Sequence, residues 1–290
     1  MINDKNIFTD AEKLMQAGFS TKDSTEAVAG FLHREQVKIG ALDIGYLTGG
    51  QGEPLVIVHG GGDSGNAWLK NAVELSRHYQ VYVPDLPGFG FSQPLGEEFI
   101  LSEYVLFIEE FRRHLGLDSF HLIGHSLGGS IALHYALTYP GRVKRLVLIS
   151  SLGLGKEIAR WARFCSLPIF YRAIKKTLLS LYRAARWVVR LFNYPLEDLV
   201  PPSLFRMSIG QGIMGFRGQT HVLAHRLSEL LVPTLLVWGA WDYVVPARHA
   251  HAAAKLIPNC QVHVFRRTGH SVYKRKLEEF SQLVVRFLGR

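Results

Sequence analysis

FHLIGHSLGG, residues 120–129, decides how the rest of the chain is read. Phe120 to Ile123 are β-compatible and mostly apolar. Ser130 to Leu137 (SIALHYAL) run on in helical fashion. Between them Gly124-His125-Ser126-Leu127-Gly128 matches G-x-S-x-G in the strand–turn–helix setting that the motif requires. So sharp a turn forces its central residue into strained backbone geometry, and flanking glycines remove the side chains that would clash. The expected product is a serine hydroxyl on a sheet edge, beside a helix N-terminus that favours developing negative charge.

Working outward, strand-like runs alternate with helical ones. Val37 to Thr48 alternates loosely and suggests a hairpin with Gly40 near its turn. Leu55–Val58, Val81–Val83, Arg145–Ile149, Thr234–Trp238 and Cys260–Phe265 read as strands, the continuously apolar ones as buried on both faces of a parallel sheet. Helices are expected over Trp68–His78, Leu101–Leu115 and Leu277–Leu288. The second carries Tyr104, Ile108, Phe111 and Leu115 on one stripe. This alternation predicts an α/β fold with a mostly parallel sheet flanked by helices. It breaks once. The expected organisation is a helical extension over 1–35, an α/β core over 36–150 and 233–290, and an all-helical lid over 151–232. The lid enters before the penultimate strand and covers the sheet's C-terminal edge.

The 290 residues suffice for one large core with an insertion, and mean hydropathy of +0.09 fits a folded globular chain. The opening residues MINDKNIFTDAEK lack a signal peptide's basic and apolar regions, and the apolar runs are too short to cross a bilayer. Cys165 and Cys260 cannot build a disulfide framework and read as reduced packing residues, so a cytoplasmic protein is expected. The net charge of +9 is concentrated: residues 151–232 hold twelve Lys/Arg against four Asp/Glu. Within them Arg172, Lys175, Lys176, Arg183, Arg186 and Arg190 share one side of a helical projection. Ile174, Leu178, Leu181, Val188 and Phe192 share the other. Such a basic amphipathic segment reads as a solvated lid face, as a contact for an anionic membrane, or as a field steering an acidic substrate. Nucleic acid is not expected, because no recognition fold or stacking motif accompanies the charge.

Serine chemistry needs a base to take the hydroxyl proton and an acid to orient that base. His270, in Thr268-Gly269-His270 after the last strand, is the candidate base. Asp242, in GAWDYVVP after the preceding strand, is the candidate acid. The chain order Ser126, Asp242, His270 is one known to support such a triad. A tetrahedral intermediate also needs N–H donors aimed at its oxyanion. Leu127 and Gly61 are the candidates, with Gly62 as the alternative to Gly61 in the HGGG run at 59–62. Trp161, Phe164, Phe170 and Trp187 are candidate substrate-binding residues in the lid. No metal or other cofactor is expected.

Five motifs in order, HGGG at 59–62, DLPGFGFS at 85–92, GHSLGG at 124–129, GAWDYVVP at 239–246 and TGH at 268–270, resemble the α/β-hydrolase superfamily from Val37 to Arg290 outside the lid. The resemblance implies that fold and a serine hydrolase. Serine at 126 argues against haloalkane dehalogenases and epoxide hydrolases, which use aspartate there. LISSLGL at 148–154 and the capped layout are similar to the C–C bond hydrolases that cleave meta-fission products. Against that, GHSLGG is the generic esterase form, and Ser271-Val272 follows His270 where those enzymes tend to carry tryptophan. The expected function is therefore hydrolysis of a carboxylic ester through an acyl-enzyme on Ser126. The alternatives are C–C bond hydrolysis of a ketone substrate and a small-ligand receptor with little turnover.

Overall fold

The computed structural model describes residues 32–95, 100–159, 163, 213–215 and 217–289. Eight strands form one sheet: β1 His33–Ile39, β2 Leu42–Gly49, β3 Pro54–Val58, β4 Gln80–Pro84, β5 Phe120–His125, β6 Val143–Ile149, β7 Thr234–Gly239 and β8 Cys260–Phe265. Their spatial order is β1-β2-β4-β3-β5-β6-β7-β8. The β1–β2 hairpin is antiparallel, β2 pairs antiparallel with β4, and all remaining pairs are parallel. The expected hairpin turn is present, with Gly40 at φ +59°.

The central strands are apolar throughout because helices cover both faces. Successive residues alternate between two cores. Val56, Val58, Leu122, Leu146, Leu148, Leu236 and Trp238 join one core. It also holds residues of α2 (Leu101–His114), α3 (Leu127–Thr138) and α4 (Arg248–Ala254). Leu55, Ile57, Ile123, Val147, Ile149, Leu235 and Val237 join the other, under α1 (Leu69–Ser76), the single turn α5 (Val272–Arg275) and α6 (Leu277–Leu288). A period-2 strand thus fills two layers with one continuous apolar run. Helices α2 and α3 are tied by the buried Glu109, whose carboxylate accepts from Arg112, Arg113 and the Tyr135 hydroxyl. Arg112 holds that carboxyl down at about 2.

The sequence expectations hold for the strands and for α1, α2, α3 and α6, with ends shifted by a few residues. The structure adds α4 and α5, and it starts β1 at His33. The expected N-terminal extension lies outside the described residues up to residue 31, while His33 to Glu35, expected as helix, pair with Tyr46 to Thr48 as strand. Most of the expected lid, with Trp161, Phe164, Phe170, Trp187 and the basic segment, also lies outside them. At the foot of the insertion the expected helix is replaced by a short antiparallel ribbon, Met214–Gly215 with Gly218–Gln219. Gly218 stands at φ +113°, where a Cβ would lie 2.2 Å from the Lys156 carbonyl, so this close crossing needs glycine. Outgoing and returning chains are stapled there. Gln219 N–H donates to Lys156 O (2.8 Å), Leu223 N–H to Gly153 O (2.8 Å), and Gly153 N–H to Gln219 Oε1 (2.7 Å). Among the described residues no helix is long and apolar enough to cross a membrane.

Candidate active site

Ser126 sits between β5 and α3 at φ +52°, ψ −111°, a conformation that L-residues adopt only under constraint. The constraints are visible. Its N–H donates to Ile149 O of β6 (2.9 Å), and its carbonyl accepts from Ser130 N–H and Leu152 N–H (both 3.1 Å). The glycines answer to sterics. A Cβ at Gly124 would lie 2.4 Å from Gly128 O, one at Gly128 2.3 Å from Val58 O, and one at Gly129 2.5 Å from Ser151 Oγ. Helix and strands could not approach so closely with any side chain in those places.

Asp242 and His270 come together at the C-terminal ends of β7 and β8. His270 Nδ1 lies 2.9 Å from Asp242 Oδ2 and 3.0 Å from Oδ1. Asp242 Oδ1 also accepts the N–H groups of Val244 and Val245, both at 2.9 Å. The carboxylate side chain is fully buried and the imidazole nearly so. A carboxylate at Nδ1 fixes the proton there and leaves the lone pair on Nε2, the state a general base requires. Two further features hold the pair. Trp238 Nε1–H donates to Val245 O (3.1 Å), fixing the acid's loop. Gly239, where a Cβ would fall 2.2 Å from Thr268 O, lets the base's loop cross directly over the end of β7.

His125, the neighbour of Ser126, joins this loop to the elbow. Its Nε2–H donates to the His270 carbonyl (3.2 Å), and the two rings stand 4.9 Å apart. Its Nδ1 has no partner, and burial pushes its pKa well below the usual histidine range.

The loop Gly60-Gly61-Gly62-Asp63 lies on the other side of the elbow. A Cβ at Gly60 would lie 2.7 Å from His125 Nδ1 and 3.5 Å from Ser126 Cβ; one at Gly61 would lie 3.5 Å from Leu127 Cδ2. The two expected oxyanion donors, Gly61 and Leu127, are thus neighbours. Asp63 N–H donates to Gly60 O (3.2 Å) and Gly62 stands at φ +82°, the left-handed third position of a type II turn. Gly62 serves the backbone; nothing lies within 4 Å of where its Cβ would be. His59, fully buried, anchors the loop: Nδ1–H donates to Gly60 O (2.8 Å), and Nε2 accepts Leu86 N–H (2.9 Å). That pair of bonds fits only the neutral ring, and burial lowers its pKa. Asp85 explains DLPGFGFS: its buried carboxylate accepts from Gly65 N–H (2.6 Å), Phe91 N–H (2.9 Å) and Arg34 (3.2 Å). Sequence reading did not assign these roles to His59, Asp63, Asp85 or His125. The HGGG and DLPGFG motifs were the available signal for two of them.

Cys260 is a packing residue, its thiol pushed up to about 11 by burial. Among the described residues no group of three or more His, Cys, Asp or Glu side chains could hold a metal ion.

A family model described as "alpha/beta hydrolase fold" matches residues 53–276. The chain is 33% identical over 248 residues to the dihydrolipoyllysine-residue acetyltransferase component of the acetoin cleaving system of Cupriavidus necator, covering 83% of this chain and 65% of that protein's length. It is 30% identical over 266 residues to the 2-hydroxy-6-oxo-2,4-heptadienoate hydrolase of Pseudomonas putida, covering 87% and 95%. Among solved structures, a meta-cleavage product hydrolase from Pseudomonas fluorescens IP01 superposes with a TM-score of 0.68 at 25% identity, covering 87% of this chain and 96% of that one.

Proposed function

The chain belongs to the α/β-hydrolase fold family, and from that premise we propose that it is a serine hydrolase that cleaves a carboxylic ester through an acyl-enzyme on Ser126. The observation that carries the reading is the buried Asp242–His270 pair, joined through His125 to a strained serine turn. In this reading His270 Nε2 takes the Ser126 hydroxyl proton as Oγ attacks the substrate carbonyl. Asp242 stabilises the imidazolium that forms. The N–H groups of Gly61 and Leu127 receive the oxyanion, where one donor is worth about 3–4 kcal/mol. His270 then protonates the leaving alkoxide and activates water to release the acid.

The second reading is hydrolysis of a C–C bond in a vinylogous diketone with the same residues. It is favoured by the 30% identity to the Pseudomonas putida hydrolase across nearly all of that protein. Against it stands Ser271-Val272 after the base. One experiment separates the readings. The protein is given p-nitrophenyl esters of increasing chain length and, in parallel, 2-hydroxy-6-oxohepta-2,4-dienoate, with fluorophosphonate labelling of wild type and Ser126→Ala. Ester turnover with labelling lost in Ser126→Ala supports the first. Rapid loss of the dienoate chromophore with slow ester turnover supports the second. Folded wild-type protein that takes no label and turns over neither substrate refutes both and leaves the receptor alternative.

We further propose that the protein works at an anionic lipid surface. The support is the basic excess of residues 151–232, and exposed Trp241, Arg266 and Arg267 at the same C-terminal edge as Asp242 and His270. Trp and Arg together suit a headgroup interface. Sedimentation with phosphatidylglycerol vesicles at low and high salt tests it; absence of salt-sensitive binding removes the idea.

A further inference from the structure

The loop proposed to bind the oxyanion and the loop carrying the proposed base are joined by a set of contacts that ester hydrolysis itself does not require. Asp63 closes the Gly60–Asp63 turn through its own N–H. Its side chain reaches across to α5, the turn of helix that begins two residues after His270. There Asp63 Oδ2 accepts the Tyr273 hydroxyl (3.2 Å), and Lys274 Nζ lies 3.1 and 3.3 Å from the two carboxylate oxygens. Tyr273 is itself rigid. Its ring is buried, stacks on Trp68 at 3.9 Å and 2°, and meets the His125 ring edge-on at 5.0 Å. Its carbonyl accepts Asn71 Nδ2–H (3.2 Å).

We propose that Asp63 is a positioning residue that sets the distance between the oxyanion donors and His270, acting through Tyr273 and Lys274. The geometry supports this over a general stabilising role for three reasons. The carboxylate belongs to the same four-residue turn as Gly61. Its partners stand three and four residues from His270. Tyr273 also contacts His125, which binds the His270 backbone and adjoins Ser126. One carboxylate therefore closes a ring through the oxyanion turn, the base loop and the nucleophile turn. An exposed Lys–Asp pair alone would contribute little. The buried Tyr273 scaffold makes the contact directional, and a misplacement of about 1 Å in such a constellation costs on the order of 100-fold in rate.

The inference rests on the ester-hydrolase reading for its kinetic test, and a second measurement keeps it independent. On p-nitrophenyl acetate, Asp63→Ala is expected to lower kcat about 10- to 100-fold with KM within about twofold. Tyr273→Phe, which keeps the stack on Trp68, is expected to lower kcat in the same way, and the double variant to be no worse than Asp63→Ala. Asp63→Asn, which retains an acceptor for the Tyr273 hydroxyl, recovers part of the loss. Affinity for benzeneboronic acid, whose tetrahedral serine adduct needs the oxyanion donors, falls by the same factor as kcat. Hydrogen exchange should quicken in 60–63 and 270–274 together. Wild-type kcat in Asp63→Ala, or a loss confined to KM, overturns the proposal. So does faster exchange in only one of the two segments. Wild-type protein inert to every ester defeats the functional reading instead, and the exchange result then decides this one. If Asp63→Ala does not fold, Tyr273→Phe carries each measurement.

Discussion

Acidification from pH 7 to 5.5 should destabilise this protein through buried histidines rather than through its carboxylates; His59, His125 and His134 lead, and burial lowers His121 and His249 in the same direction. His59 uses both ring nitrogens in the neutral form, so a second proton would break the bond from Leu86 N–H. His125 has one free nitrogen, Nδ1, buried against Gly60 with no acceptor for a new proton. His134 is desolvated and faces His221, which brings its pKa down to about 4. All three folded-state values lie below the unfolded one, about 6.5. The unfolded chain therefore takes protons first. The stability from holding these rings neutral is fully present above about pH 6.5 and is lost as pH falls below it. At pH 5.5 the His134 ring favours the unfolded chain by about 1.4 kcal/mol, against about 0.2 at pH 7. His59 and His125, lowered in the same direction, add to that loss, which is set against a typical total of about 5–15 kcal/mol. Glu53, Glu109 and Glu157 have lowered values and lose their contribution only below about 4.5, outside this window. Urea unfolding at 25 °C and fixed ionic strength, followed by far-UV circular dichroism across the range, measures the loss. His134→Gln should shrink the pH-dependent part by about 1.3 kcal/mol. A change below about 1 kcal/mol in wild type, fewer than one proton taken up, refutes the assignment of neutral buried rings.

Ser126→Gly should abolish hydrolysis yet raise stability by about 1 kcal/mol, because glycine accepts φ +52° without strain; a lower Tm would contradict the strained-turn account. Gly128→Ala should destabilise by about 3 kcal/mol or fail to fold, since its Cβ would meet Val58 O at 2.3 Å, and soluble protein of wild-type Tm would show that β3 can yield. Asp242→Asn still offers an oxygen to Val244 and Val245 N–H, so the fold should survive while kcat drops about 10⁴-fold from the wrong His270 tautomer. An Asn variant within tenfold of wild type would remove Asp242 from the mechanism.

Local sterics and strand ends made much of this legible in the sequence. Gly124, Ser126 and Gly128 lie in one short run, and their constraint is a clash between near neighbours. Asp242 and His270 were legible because each follows a strand-like run, TLLVWG and CQVHVF. Links between distant residues were not. His125 meets a carbonyl 145 residues away, and Asp63 meets a hydroxyl 210 residues away. Nothing in either local pattern names the partner. Helix α4, RHAHAAA, was missed because its buried positions are mainly alanine and histidine, which leave no apolar stripe. The first residues of β1 are polar and largely exposed on the sheet's edge, so no hydrophobic run announces them.

The staple at the foot of the insertion separates what is inserted from what it is inserted into. Leu152 leaves the sheet bonded to the carbonyl of Ser126, and the returning chain is fastened to the outgoing one at Gly153 and Lys156 before it reaches β7. With both ends already joined, the loop-closure part of lengthening the intervening chain grows slowly, about 0.6 kcal/mol per doubling. The described bonds that hold the Ser126 backbone, to Ile149 O, Ser130 N–H and Leu152 N–H, all lie on the sheet side of that joint. Exchanging residues 160–212 tests that separation: the described contacts of Ser126, Asp242 and His270 lie outside that segment, so a chimera is expected to keep the three in their places.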